Sequence, residues 1–215
     1  VIDKPAGMPV HPSQGHYENT LANAIAWYYR NEETPFVFRA VNRLDRDTSG
    51  LILLAKNPYS SCILSEAVKD HAIHREYAAV VSGKTDSSGT IDLPIARKDG
   101  STIERVCDPE RGEAAVTHYQ TIAYNKDADL SFIRLLLETG RTHQIRVHMK
   151  AIGHPLPGDF LYCPDYRLID RQPLHSIYLS FSRPVTGKKL EFSAPLPQDM
   201  RNLFPDIKNP EGPVF

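Results

Sequence analysis

Val41-Asn42-Arg43-Leu44-Asp45-Arg46-Asp47-Thr48-Ser49-Gly50-Leu51 is the stretch on which the reading of this chain turns. Arg43 and Arg46 bracket Asp45, Thr48-Ser49-Gly50 reads as a turn, and the apolar run Leu51-Ile52-Leu53-Leu54-Ala55 follows. Side chains two apart in an extended segment point the same way, so Arg43 and Asp45 are expected to face one space. A carboxylate kept ionised by arginines in a cleft is a candidate nucleophile.

Outward from that loop, Phe36–Ala40 and Leu51–Ala55 read as strands on either side of it. Thr20 is placed to cap a helix over Leu21–Asn31, with Leu21, Ala24, Ile25 and Tyr28 on one face and Pro35 closing the segment. Pro58 suits a helix start, and Tyr59–Asp70 carries Ile63, Leu64, Ala67 and Val68 at helical spacing. Tyr77–Val81 reads as a strand ended by Ser82-Gly83. Further strands are expected near 90–95, 103–107, 115–123, 130–138, 174–182 and 188–193, divided by Gly, Pro and Asp turns. A short helix is expected from Thr142 to Ile152, stopped by Gly153. The tail after Leu196 is proline-rich and reads as a surface wrap. Strands outnumber helices and long helical crossovers are few. The pattern predicts an α+β domain on a large, mostly antiparallel mixed sheet flanked by short helices and loops.

With 215 residues, 41% of them hydrophobic and 24% charged, the chain can bury one good core and reads as a single domain over 1–215. No apolar run approaches the roughly 18 residues of a membrane-crossing helix, and no signal peptide is evident. The three cysteines, Cys62, Cys107 and Cys163, are far apart and odd in number, which favours a reducing cytoplasm. The net charge of −1 argues against a surface that grips nucleic acid everywhere, but not against local basic stripes. Two such stripes exist. Between 39 and 56 stand Arg39, Arg43, Arg46 and Lys56 with two anions, Asp45 and Asp47; between 134 and 150 stand Arg134, Arg141, Arg146 and Lys150 with Glu138 alone, and with His143 and His148 besides. The start at Val1 reads as the tail of a strand entering a turn, so a longer parent chain is expected.

Phosphate-loop, dinucleotide-fold, zincin and serine-hydrolase motifs are all missing from the sequence. His143 and His148, five apart, would lie about 140° apart around a helix and so not share a face. His71 and His74 could pair, but the sequence points to no third ligand, and no catalytic metal is expected. The second chemistry-bearing stretch is Gly140-Arg141-Thr142-His143-Gln144-Ile145-Arg146-Val147-His148. On its helix Ile145, Met149 and Ile152 form the apolar stripe. Arg141 lies at the helix mouth and Arg146 one turn inside, where the macrodipole gives an arginine nothing. A carboxylate or phosphate would favour it there. The third piece is Arg75-Glu76-Tyr77, opening a strand.

In order and spacing, Arg43-Leu44-Asp45 with Thr48-Ser49-Gly50, Tyr77, and Gly140 to Arg146 resemble the catalytic domain of the RluA-type pseudouridine synthases. The resemblance runs nearly end to end. Lys4-Pro5-Ala6-Gly7 with His11-Pro12, Gly112–Thr117, Gly153-His154-Pro155 with Gly158-Asp159, Leu174-His175 and Ala194-Pro195-Leu196-Pro197 look like further family segments. It implies that Asp45 is the catalytic aspartate, that Arg146 is its salt-bridge partner, that Tyr77 packs on the target base and that Arg43 fills the space the uridine leaves. Arg46, Arg141, His143 and Gln144 are expected to contact RNA. The family usually has His where this chain has Asn42, so altered RNA contacts with retained activity are expected. An N-terminal S4-type RNA-binding domain, often present in the family, is not in this sequence.

The implied reaction breaks the N1–C1′ bond of uridine, turns the base and joins C5 to C1′. Nothing is oxidised or added, so no cofactor is expected. The base must leave its stack, at a cost of a few kcal/mol that Arg43 and Tyr77 would partly offset. The expected partner is structured RNA, ribosomal or transfer, bound by a cytoplasmic monomer with no metal and no membrane, and with a steep salt dependence. Two other readings compete. A silent RNA-binding protein would keep the arginines and tolerate change at Asp45. A glycoside or nucleoside hydrolase would pair Asp45 with an acid such as Glu138.

Overall fold

A computed structural model of the chain describes residues 1–13, 15, 17–31, 36–208 and 212–215. Fourteen elements follow in order: β1 (Ile2–Lys4), α1 (Leu21–Tyr28), β2 (Ser49–Ile52), α2 (Pro58–Lys69), β3 (His74–Ser82), β4 (Ser88–Asp92), β5 (Ile95–Arg97), β6 (Arg105–Cys107), β7 (Val116–Asn125), β8 (Leu130–Leu137), α3 (Gln144–Ala151), β9 (Leu174–Ser182), β10 (Lys189–Ser193) and α4 (Gln198–Leu203). Eight of the strands form one sheet, and β5 with β6 makes a separate two-stranded ribbon. The expected α+β architecture on a large sheet with short helices is the one observed. Among the described residues, no helix is long and apolar enough to cross a membrane.

The chain divides into two compact units, Val1–Arg75 with Ser176–Ala194, and Glu76–His175 with Pro195–Phe215. In the first, β1 pairs antiparallel with β2 in the register Asp3↔Leu51, and β10 pairs antiparallel with β9 in the register Glu191↔Ser180. Its core joins Leu51, Leu53, Ala55, Leu64 and Ile73 to Leu179, Phe181 and Ala194. Residues 51–55 therefore owe their apolar run to burial. The two helices of this unit start where local chemistry starts them. Thr20 and Asn23 form a reciprocal capping box on α1, and the Asn57 side chain accepts from Ser60 N at 2.8 Å ahead of Pro58 on α2.

In the second unit β3, β8, β7 and β4 run side by side, each neighbour antiparallel. The β3–β8 pair is almost wholly buried, which is why Ala78-Ala79-Val80-Val81 reads as a continuous apolar run. A bulge between Thr121 and Ala123 shifts the β7–β8 register. Inside this pair lies a charge. Glu76 and Arg134 are 0% and 2% exposed and form an ion pair, and Glu76 also accepts the backbone N–H groups of Val214 and Phe215 at 3.0 and 3.2 Å.

Four expectations change. Phe36–Ala40 is no strand: only Ala40 makes an isolated bridge, to Leu54, while Phe36 stacks on Tyr29 with ring centroids 4.5 Å apart. Backbone pairing flanks that bridge alone, with Ala55 N–H donating to Arg39 O at 2.9 Å and Val41 N–H to Leu53 O at 2.8 Å. The helix after Thr20 ends at Tyr28 rather than Asn31, and Pro35 lies outside the described residues. The arginine-bearing helix begins at Gln144, because His143 adopts a left-handed backbone (φ 59°) that no helix interior accepts. The tail forms α4, held by Leu196, Met200 and Phe204, all 6% exposed or less.

Candidate active site

The site residues expected from the sequence fall into two groups, one in each unit. In the first unit, residues 43–45 alternate in burial: Arg43 exposed, Leu44 buried, Asp45 half-buried. The Asp45 carbonyl accepts Thr48 N–H at 3.2 Å and closes the turn. Arg46 lies in that turn with its side chain 47% exposed and pairs with Asp47 through two contacts of 2.9 Å, which holds its guanidinium above its ordinary pKa. Gly50 ends the turn at φ +106°, where a Cβ would come within 2.2 Å of the Ser176 carbonyl oxygen. Only glycine fits there.

Beneath the turn lies Lys4, 0% exposed. Its ammonium donates to the carbonyls of Pro5, Met8 and Arg46 at 2.7, 2.9 and 3.0 Å. An ammonium has three donors, and burying it is tolerable only when they are used. Lys4 thus ties β1 to the backbone of the Asp45 turn. Asn42 is tied inward as well: its side-chain oxygen accepts Leu53 N–H at 2.7 Å. At 6% exposure it serves the backbone of the following segment.

In the second unit the centre is Arg146, 1% exposed on α3. Its Nε and Nη2 donate to the two carboxylate oxygens of Asp159 at 2.6 and 2.7 Å. The rings of Tyr162 and Phe160 lie 5.0 and 5.5 Å from its guanidinium carbon. Burial pushes the Tyr162 phenol up to about 12, against the opposing influence of the Arg105 N–H and Arg146. The phenol is therefore neutral. Its oxygen accepts Arg105 N–H at 2.9 Å, and its proton can point to His143 Nδ1, also at 2.9 Å. The left-handed backbone of His143 opens α3 without a side-chain cap.

Gln144 supplies what the missing cap does not. It is 2% exposed. Its Oε1 accepts Arg141 N–H at 2.9 Å and the Thr139 hydroxyl at 2.8 Å, and its Nε2 donates to Val116 O at 2.9 Å and Thr117 Oγ1 at 3.0 Å. Thr117 in turn lies 2.9 Å from His148 Nδ1, whose Nε2 is 2.9 Å from Leu93 O. This chain suits a neutral imidazole, and burial lowers the His148 pKa. Arg141 is at the surface, paired with Glu113 and donating from Nε to Ala114 O at 3.0 Å. Tyr77, 4% exposed, sits on β3 opposite Leu135, beside the buried Glu76. Glu138 is exposed and contacts His118 at 2.6 Å.

Each predicted residue thus has a defined local place. Arg43, Asp45 and Arg46 share one turn; Arg141, His143, Gln144 and Arg146 share the α3 entrance. Sequence reasoning missed the parts played by Lys4, Asp159 and Tyr162. A lysine ending the short β1 strand ahead of Pro5 and an aspartate just after Gly158 were the available signals. Among the described residues, no cluster of three or more His, Cys, Asp or Glu side chains could hold a metal ion.

Comparison with known proteins places the chain in a family. Residues 1–151 match the RNA pseudouridylate synthase family. Over 205 residues the chain is 46% identical to the protein named "Uncharacterized RNA pseudouridine synthase YjbO" of Bacillus subtilis (strain 168), covering 95% of this chain and 71% of that one. Over 221 residues it is 42% identical to "Ribosomal large subunit pseudouridine synthase D" of Zymomonas mobilis, covering 95% and 68%. Its fold matches human RNA Pseudouridylate Synthase Domain Containing 1 with a TM-score of 0.74 and 25% identity, over 91% of this chain and 78% of that one. The class is an RNA-modifying isomerase. The chain belongs to the RNA pseudouridylate synthase family, in the RluA type that its motifs resemble.

Proposed function

We propose that the chain converts uridine to pseudouridine in structured RNA of the large ribosomal subunit, with Asp45 as nucleophile and with the target base flipped from its stack. The ribosomal substrate is inferred from relatives named for that subunit. Asp45 attacks or deprotonates the flipped uridine. Arg146 keeps its carboxylate ionised, since an adjacent guanidinium opposes the neutral form that desolvation favours. Tyr77 packs on the base and Arg43 fills the vacated stack. Arg46, Arg141 and His143 hold phosphates, and Gln144 shapes the α3 entrance that presents two of them. The reaction needs no cofactor or metal, and we infer a cytoplasmic monomer.

What carries this reading is membership of the family combined with Asp45 in a turn whose backbone is fixed by Lys4 and Thr48 while the neighbouring Arg43 stays exposed. The hydrolase alternative loses support, because Glu138 is exposed and engaged with His118. The test uses uridine tritiated at C5 within large-subunit ribosomal RNA. Label release by the wild-type protein, abolished by Asp45→Asn, is expected. No release from any cellular RNA pool would defeat the synthase reading, and release from transfer RNA alone would move the substrate. Free uracil as the product would restore the hydrolase.

A further inference from the structure

Two buried ions that only neutralise each other are a poor way to stabilise a fold, since desolvation offsets most of their attraction. Arg146 and Asp159 are 1% and 0% exposed, so their pairing calls for another reason. The geometry supplies one. Asp159 engages both Nε and Nη2 of Arg146, at 2.6 and 2.7 Å, and two parallel bonds fix both the plane and the rotation of a guanidinium. Tyr162 and Phe160 limit its movement, at 5.0 and 5.5 Å. A guanidinium carries five N–H donors in a rigid fork, so a carboxylate on this edge does not exhaust it.

Asp159 is itself immobilised. Its Oδ1 accepts Leu161 N–H at 3.0 Å and Tyr162 N–H at 3.2 Å, and its carbonyl accepts Cys163 N–H at 2.9 Å. Gly158 sets the bend at φ +74°, where a Cβ would come within 2.5 Å of Ile169 O. The turn 158–163 is therefore a rigid bracket whose side chains meet on Arg146.

We propose that Asp159 is a positioning residue for the isomerisation: it aims the Arg146 guanidinium, and the reaction rate depends on that aim. The proposal rests on the reading of Arg146 as the partner of Asp45. A displacement of about 1 Å at a group supporting the reacting atoms can cost about a hundredfold in rate. Asp159→Asn is the informative change. It keeps the oxygen that accepts Leu161 and Tyr162 N–H, and so keeps the bracket, but it loses the acceptor facing Arg146 Nε.

The test is a coupling cycle on the full chain, using tritium release from ribosomal RNA. Wild type, Asp159→Asn, Arg146→Lys and the double variant are compared for kcat, KM and thermal midpoint. Arg146→Lys keeps a cation opposite Asp159, which guards the fold. Asp159→Asn is expected to lower kcat by about ten- to a hundredfold with KM within about threefold. In the Arg146→Lys background it should cost less than about threefold, because residues acting as a unit do not add. Arg146→Lys with wild-type kcat would defeat the reading of Arg146 itself. A slow Arg146→Lys beside an Asp159→Asn of wild-type kcat, or a loss that multiplies in full, would defeat the positioning role alone. So would a kcat loss that follows only the thermal midpoint.

Discussion

The Asp45 turn and the Arg146 centre solve the same problem, holding a charged side chain still, by opposite means. The turn is held through its backbone. Lys4 and Thr48 N–H engage carbonyls, Gly50 allows the bend, and the arginines point outward. The Arg146 centre is held through side chains, with Asp159 on one edge and Tyr162 and Phe160 beside it. A turn held by its backbone can change side chains without losing its shape. A centre held by side chains loses its shape with any member.

Asp45→Asn is the sharpest test of that contrast. It should lower tritium release by about 10³-fold or more while costing less stability in urea unfolding than the loss of the backbone anchor Lys4. A large loss of stability would mean that the turn depends on the Asp45 side chain after all. Lys4→Met removes the backbone anchor and leaves the carbonyls of Pro5, Met8 and Arg46 to find other partners. It should cost about 3 kcal/mol in the same unfolding experiment, and activity should fall although every proposed catalytic side chain is present.

Gln144→Leu should cost about 2 kcal/mol, since it strands buried groups of Thr139, Arg141, Val116 and Thr117. The same change should weaken RNA binding in a filter assay if the α3 entrance loses its form. His148 gives the smallest effect. Its pKa is lowered in the fold by burial, so the unfolded chain binds its proton first as pH falls. Its contribution is complete above the ordinary value near 6.5 and is lost as pH falls from there toward the lower folded value. His148→Gln should flatten the wild-type decline in thermal midpoint as pH falls below about 6.5. An unchanged slope would show that other groups set it.

The same contrast explains what could be read from the sequence. The Asp45 turn is written in consecutive residues: Thr48-Ser49-Gly50 announces the bend, and Leu51 onward announces the buried run. Tyr77–Val81 was equally plain as an apolar run ended by Ser82-Gly83, and 174–182 as a stretch rich in apolar and aromatic residues. Arg146 was legible as an odd arginine in an apolar helix, but its anchor Asp159 lies 13 positions later, and no periodicity links the two. Lys4 was hidden for a related reason: a buried lysine is betrayed only by its three acceptors, one of them 42 positions away. Phe36–Ala40 misled because aromatic and β-branched residues favour a strand wherever they cluster, whereas here Phe36 stacks on Tyr29. The α4 helix was masked by prolines that flank it rather than interrupt it.

The two units are interleaved along the chain, and this bears on the order in which a ribosome can deliver them. The first unit needs Ser176–Ala194, whose Leu179, Phe181 and Ala194 fill its core beside residues made more than 100 positions earlier. The second needs Pro195–Phe215, whose last backbone N–H groups answer the buried carboxylate of Glu76. While translation has reached only His175, neither unit holds its full set of parts, and the apolar strands from Tyr77 to Val81 already exist. The nascent chain must carry those strands incomplete until residues 176–215 emerge, so chaperone dependence should be greatest before they do.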